Sequence, residues 1–134
     1  MQREYTTLLK TAIEDYFVAV LNHNHCYYEH SSVQSQQCIE KCLKAILSHK
    51  QKPIPRVHNL RVLILKVEQR NIVVPPELKL HADSLSEKYM LTRYYGGTTT
   101  PDVSGGFLHV CEIALNWCAT STNQQNLLIP LQRQ

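Results

Sequence analysis

The stretch from Ser32 to Lys50, SVQSQQCIEKCLKAILSHK, runs nineteen residues without a glycine or proline. Within it Ile39, Cys42, Leu43 and Ile46 fall at i, i+3, i+4 and i+7, which is one apolar stripe of an α-helix. Gln37, Glu40, Lys41 and Lys44 cluster away from that stripe and read as a solvated face of amide, acid and base. Glu40 stands four residues before Lys44, the favourable order for a helical ion pair, worth only ~0.3 kcal/mol if exposed. A helix this long and this two-sided fixes the fold class, because its stripe has to be covered by other helices.

The rest of the chain supplies them. Tyr5, Leu8, Leu9, Ala12, Ile13, Tyr16 and Val20 keep a helical stripe over residues 4–21, which the polar run Asn22–Asn24 should end. Ser31 or Ser32 is the expected N-cap of the central helix. Pro53 and Pro55 break the chain, since a proline disfavours helix in the residue before it. Leu60, Leu63, Ile64 and Val67 then predict a third helix over 59–70, capped by Asn59 or His58 and stopped at Asn71. Pro75-Pro76-Glu77 opens a fourth, with Leu78, Ala82, Leu85 and Tyr89 inward and an end near Thr92. Residues 95–101 read as a mobile loop. A last helix should begin between Asp102 and Gly106, its seam formed by Val103, Phe107, Val110, Ala114 and Trp117. No stretch alternates as a strand would. The expectation is an all-α, up-and-down antiparallel bundle of four to five helices, spanning residues 1–122, followed by a tail at 123–134.

Composition adds bounds. One domain fits 134 residues, and 43% hydrophobic with 19% charged residues suits a packed globular core. A net charge of +3 permits contact with phosphate without demanding it. No apolar run approaches the ~18 residues of a membrane span. The opening MQREYTTLLK lacks the layout of a secretory leader, so the expected location is cytoplasmic. Five cysteines, an odd number with no Cys-x-x-Cys pair, are expected as free and mainly buried thiols. His23-Asn24-His25-Cys26 has no second ligand cluster at zinc spacing, so no metal and no cofactor are expected. The familiar phosphate loops, the His-Glu-x-x-His motif and the Gly-x-Ser-x-Gly elbow are all missing.

Three short elements carry a resemblance. Gln36-Gln37-x-x-Glu40-Lys41-x-x-Lys44-Ala45 resembles the central signature of the HEPN domain, a small helical module. His58-Asn59-Leu60 is similar to that family's His-Asp-Leu step, and Thr92-Arg93-Tyr94 to the start of its Thr-Arg-Tyr-Pro motif. The three come in the family's order over roughly residues 5–120. The resemblance implies two kinds of function. Many HEPN proteins are metal-independent ribonucleases with an Arg-x(4–6)-His motif, and two subunits place two such motifs across one cleft. Others are partners of small, separately encoded nucleotidyltransferases, in toxin–antitoxin-like pairs, and some are linked to nucleotide binding.

Arg93 matches the motif arginine, but its histidine positions hold Thr98, Thr99 and Thr100. A threonine hydroxyl cannot act as a general base near neutral pH, where imidazole can. The reading is therefore a non-catalytic binding module, a homodimer that partners a nucleotidyltransferase-like protein, with nucleotide or RNA as further ligands. The expected contact residues are Gln37, Glu40, Lys41, Lys44, His58, Arg93, Tyr94 and Tyr95. Arg93 can grip phosphate while Tyr94 or Tyr95 stacks on a base, and the Gly-Gly-Thr-Thr-Thr loop can offer N–H groups and hydroxyls. A plainer alternative pairs Arg93 with a carboxylate such as Glu40 to lock two helices together. The enzymatic alternative, an endoribonuclease, needs a histidine from elsewhere, His58 or His109.

Overall fold

The computed structural model describes the backbone over residues 2–95 and 99–129, and the side chains over residues 4–87 and 99–129. Five α-helices follow one another: α1 Gln2–Asn24, α2 Tyr28–His49, α3 Leu60–Glu68, α4 Pro76–Tyr95 and α5 Pro101–Ser121. A 3₁₀ turn, Gln125–Leu128, closes the described chain. No strand occurs among the described residues. The all-α bundle expected from periodicity is the observed one.

α2 lies at the centre of the bundle. α2 packs against α1, α3, α4 and α5, and its Cys38, Ile39, Cys42, Leu43 and Ile46 are buried. From α1 the core receives Leu9, Ala12 and Ile13, and from α4 Leu78, Ala82 and Leu85. α5 contributes Phe107, Val110 and Ala114, as its seam predicted, with Trp117 packed against them. Val103 departs from that seam and is exposed. At that level the inward position belongs to Ser104, fully buried and 2.9 Å from His23 Nδ1. Tyr89, the fourth inward residue expected on α4, lies outside the described side chains.

Helix ends show where local sequence was readable. Asn59 caps α3, its side chain accepting from the Val62 N–H at 3.1 Å, and Asn71 takes φ +61° just beyond it. The start of α2 corrects the expectation at Ser31 and Ser32. α1 runs to Asn24, Cys26 adopts φ +67°, and α2 begins at once with no side-chain cap on Tyr27. Ser31 sits inside the helix, buried, where its hydroxyl donates to the Ala19 carbonyl of α1 at 2.8 Å. Ser32 bonds back to the Tyr28 carbonyl at 3.0 Å. A tight reversal left no room for the longer connection that would have freed either serine to cap.

α5 also begins earlier than expected. Thr100 caps it by accepting from the Val103 N–H at 3.2 Å, with Pro101 in the first turn. The stretch expected as a mobile loop is thus partly built: Tyr95 ends α4, and Thr99 and Thr100 are tied down. Gly96, Gly97 and Thr98 lie outside the described residues. After α5, Asn123 at φ +57° turns the chain back. Gln124 accepts from the Thr6 hydroxyl at 2.7 Å, and Leu128 enters the core beside Leu127.

Candidate functional site

Four residues expected on one solvated face of α2 separate into two rows. Gln36, Glu40 and Lys44, at i, i+4 and i+8, face the connection into α3, and all three are buried. Gln37 and Lys41, one position on, are half-buried, and Lys41 Nζ bonds the Asp15 carboxylate of α1 at 2.6 Å. Burial pushes the Asp15 carboxyl up, and the Lys41 ammonium only partly opposes this. Lys41 is therefore a tie between α1 and α2. The expectation of a solvated polar face is corrected: α3 and its lead-in lie over one row, and α1 engages the other.

The first row forms a network around one carboxylate. Glu40 Oε2 accepts from Lys44 Nζ at 2.9 Å and stands 3.0 Å from His58 Nδ1. Glu40 Oε1 accepts from Gln36 Nε2 at 3.2 Å, and the same amide nitrogen donates to the His58 carbonyl at 2.8 Å. Gln36 Oε1 is buried with no hydrogen-bond partner among the described residues. An ionised carboxylate only accepts, so the His58 proton sits on Nδ1. In the neutral ring, Nε2 is then left as a lone-pair nitrogen. The ring is mostly in solvent, 65% exposed, while Glu40 and Lys44 keep only 11% each. The site thus presents one oriented imidazole at the surface, backed by a shielded acid–base pair.

Local sequence explains the placement of His58. The extended Lys52-Pro53-Ile54-Pro55 segment carries the chain from the end of α2 to Asn59, whose cap starts α3 directly after the histidine. A second anchor comes from the Leu60 N–H, which donates to the Ser86 hydroxyl of α4 at 3.3 Å. Neither Gln36 nor Ser86 was singled out as a site residue from sequence. The signal for Gln36 was available, since it precedes Glu40 and Lys44 at the same four-residue step.

Arg93, Tyr94 and Tyr95 occupy the last turn of α4, and their side chains lie outside the described residues. The suggested pairing of Arg93 with Glu40 lies outside them too; among the described residues, Glu40 is held by Gln36, Lys44 and His58. Of the Gly-Gly-Thr-Thr-Thr loop expected to offer N–H groups and hydroxyls to phosphate, Thr99 and Thr100 are the described residues. The Thr99 N–H donates to Glu29 Oε1 at 3.1 Å, the Thr100 hydroxyl accepts from the Val103 N–H, and the Thr99 hydroxyl is buried with no hydrogen-bond partner among the described residues. Glu29 also brings a negative charge to the place where an anion was expected. His109 is exposed on α5.

Cys38, Cys42, Cys111 and Cys118 are buried free thiols between α2 and α5, and Cys26 is exposed. Burial, with the neighbouring Cys111, pushes the Cys38 thiol up, while thiol donors from Cys118 and Cys38 pull Cys42 down. His23 and His25 are engaged with Ser104 and with the Leu21 carbonyl. Among the described residues, no group of three or more His, Cys, Asp or Glu side chains could hold a metal ion. No described helix is long and apolar enough to cross a membrane.

A five-helix bundle whose second helix carries a buried Gln-x-x-x-Glu-x-x-x-Lys row, tied to a histidine before the third helix, defines a class of small helical domain. The family model for the HEPN domain matches residues 5–122, nearly the whole chain, and the chain belongs to that family. The match covers α2, the His58 step and the last turn of α4, the three places that carry the motif resemblance. A search among curated proteins finds no match to this chain.

Proposed function

We propose that this HEPN chain is a non-catalytic binding module that partners a small, separately encoded nucleotidyltransferase in a toxin–antitoxin-like pair and contributes to its nucleotide or substrate site. The observation that carries this reading is the self-contained state of the Gln36–Glu40–Lys44–His58 network. Its acid and base satisfy each other inside the fold, and what reaches the surface is a fixed imidazole suited to contact. Arg93, Tyr94 and Tyr95 on α4, which packs against α2, supply the chemistry for an anionic, ring-bearing ligand. The missing motif histidine favours binding over cleavage.

The test is copurification with the nucleotidyltransferase encoded beside it, together with a nucleotide-dependent thermal shift. Retention of both, weakened at least tenfold by Arg93→Ala and by His58→Ala, is expected. Failure to copurify, with no shift for any nucleotide, sinks the reading.

One observation favours a second reading, a metal-independent endoribonuclease. His58 is oriented by Glu40 as a general base is oriented by an acid, with the other ring nitrogen open to solvent. Cleavage of total RNA in EDTA, lost in His58→Ala and in Arg93→Ala, would establish it. Equal inertness of wild type and both variants would remove it.

A further inference from the structure

Four thiols lie in line across the seam between α2 and α5, all fully buried and all free. The two helices run parallel. α1 is tied to α2 by Ser31 to the Ala19 carbonyl at one end and by Ser48 to Glu4 at the other. It is tied to α5 by His23 with Ser104 and, just past the helix, by Thr6 with Gln124. Both α2 and α5 therefore run against α1, and Cys38 and Cys42 meet Cys111 and Cys118 in the same order. Cys111 Sγ donates to the Ser35 carbonyl at 3.4 Å, one turn before Cys38. Cys38 is hydrogen-bonded with Cys111 and Cys42, and Cys42 accepts from Cys118 and Cys38. The order across the seam is Cys111, Cys38, Cys42, Cys118. A lone buried thiol fills space as a small apolar side chain does. Here each sulfur has another as its neighbour, and neighbouring sulfurs can be joined where methyl groups cannot.

The four positions are not equivalent. The Cys111 proton is committed to a carbonyl, and burial pushes the Cys38 thiol up, so neither is the natural nucleophile. Cys42 receives two S–H donors, which draw it down against the opposing effects of burial and of the Asp15 carboxylate. The thiolate is the nucleophilic form, so oxidation begins at Cys42. Its partner follows from geometry. Cys38 shares a helix with Cys42, where Cα–Cβ bonds all tilt the same way and do not converge for a bridge. Cys118 approaches from the other helix and is hydrogen-bonded to Cys42. Burial also selects the oxidant. A bulky disulfide is shut out, whereas a peroxide close to water in size can follow small local openings of the seam.

We infer that Cys42 and Cys118 are a peroxide-responsive pair, closed by oxidation into one disulfide that ties α2 to α5. The Cys42 thiolate attacks one oxygen of hydrogen peroxide, the O–O bond breaks and hydroxide leaves, giving a sulfenic acid. The Cys118 sulfur then attacks the sulfenic sulfur, and its proton departs with the sulfenic hydroxyl as water. The two sulfurs lose two electrons, and one peroxide becomes two waters. The bridge joins the helix that carries Glu40 and Lys44 to the helix that follows α4. The inference is independent of the nucleotidyltransferase reading, which rests on the polar row of α2, His58 and the end of α4.

The experiment uses the full chain carrying Cys26→Ser, which removes the exposed thiol and leaves the core sulfurs in place. The folded protein is treated with a modest molar excess of hydrogen peroxide, quenched, unfolded and alkylated. Two of the four core thiols should be lost to alkylation and recovered with dithiothreitol, and one peptide pair should join Cys42 to Cys118. The oxidised protein should melt at a higher temperature than the reduced one. In the same background, Cys118→Ser should form no such bridge and should keep a dimedone-reactive sulfenic acid at Cys42. Four free thiols after treatment, a bridge confined to any other pair, or oxidation to sulfinic acid without a bridge would each overturn the inference. The peptide map of the Cys26→Ser protein decides between these outcomes even where Cys118→Ser fails to fold.

Discussion

Glu40 and His58, eighteen positions apart in the chain, meet at 3.0 Å, so that one carboxylate of α2 fixes the ring that introduces α3. The same carboxylate holds Lys44 one turn further along. This joins a residue row expected in water to a histidine expected as a helix cap. Two of the three motif elements, the Gln36–Glu40–Lys44 row and the His58 step, meet around that carboxylate.

That arrangement makes Glu40→Gln costly. Glutamine keeps the shape but leaves the shielded Lys44 ammonium without its counter-charge. Removing one member of such a pair should destabilise the fold by about 2–3 kcal/mol, whereas removing both is much milder. The expected result is a melting temperature about 8–12 °C lower for Glu40→Gln. Partial recovery is expected in Glu40→Gln, Lys44→Met. Thermal denaturation of the three proteins decides it.

The short α3, nine residues, depends on its cap more than a long helix does. Asn59→Ala removes the acceptor for the Val62 N–H and should cost about 1 kcal/mol. Asn59→Asp, which can cap as well, should cost far less. Thr100→Ala tests the corresponding bond at α5, again at about 1 kcal/mol. Urea unfolding curves with unchanged slopes check these values.

Tyr16 ties stability to alkaline pH. Burial, aided by the Glu112 carboxylate, pushes its phenol up from 10.0 to about 12. A raised folded value means that the folded state holds this proton while the unfolded state releases it. The contribution is full below pH 10 and is lost as pH rises through about 12. Between those limits the wild type should lose stability faster than Tyr16→Phe. Denaturant midpoints measured across the window, with tyrosinate absorbance followed in parallel, should show the two curves converging.

The cysteines should divide by exposure. Cys26 is exposed and the other four are buried, so a bulky disulfide reagent should modify a single thiol quickly in the native protein. Cys26→Ser should abolish that phase. Unfolding in guanidinium should release the remaining four. Rapid native modification of a core thiol would show that the α2–α5 seam opens far more readily than its packing allows.

Sequence alone settled the fold class, the inward faces of the helices and several of their ends, because each rests on nearby residues. The spacing of Ile39, Cys42, Leu43 and Ile46 means a helix whatever surrounds it, and Asn59 or Asn71 acts within one turn of its own position. The buried thiols were legible for the same reason, lying on the faces that periodicity turns inward. What only the tertiary structure decided was which polar groups meet water. Gln37, Glu40, Lys41 and Lys44 look alike on a helical projection, yet the chain entering α3 lies over Glu40 and Lys44, and α1 reaches Lys41. Ser31, an apparent cap, became a bond between helices, and Thr99 and Thr100 became anchors. A helix fixes the angle between its side chains from local geometry, but the dielectric and the partners each one finds are set by segments far away in sequence.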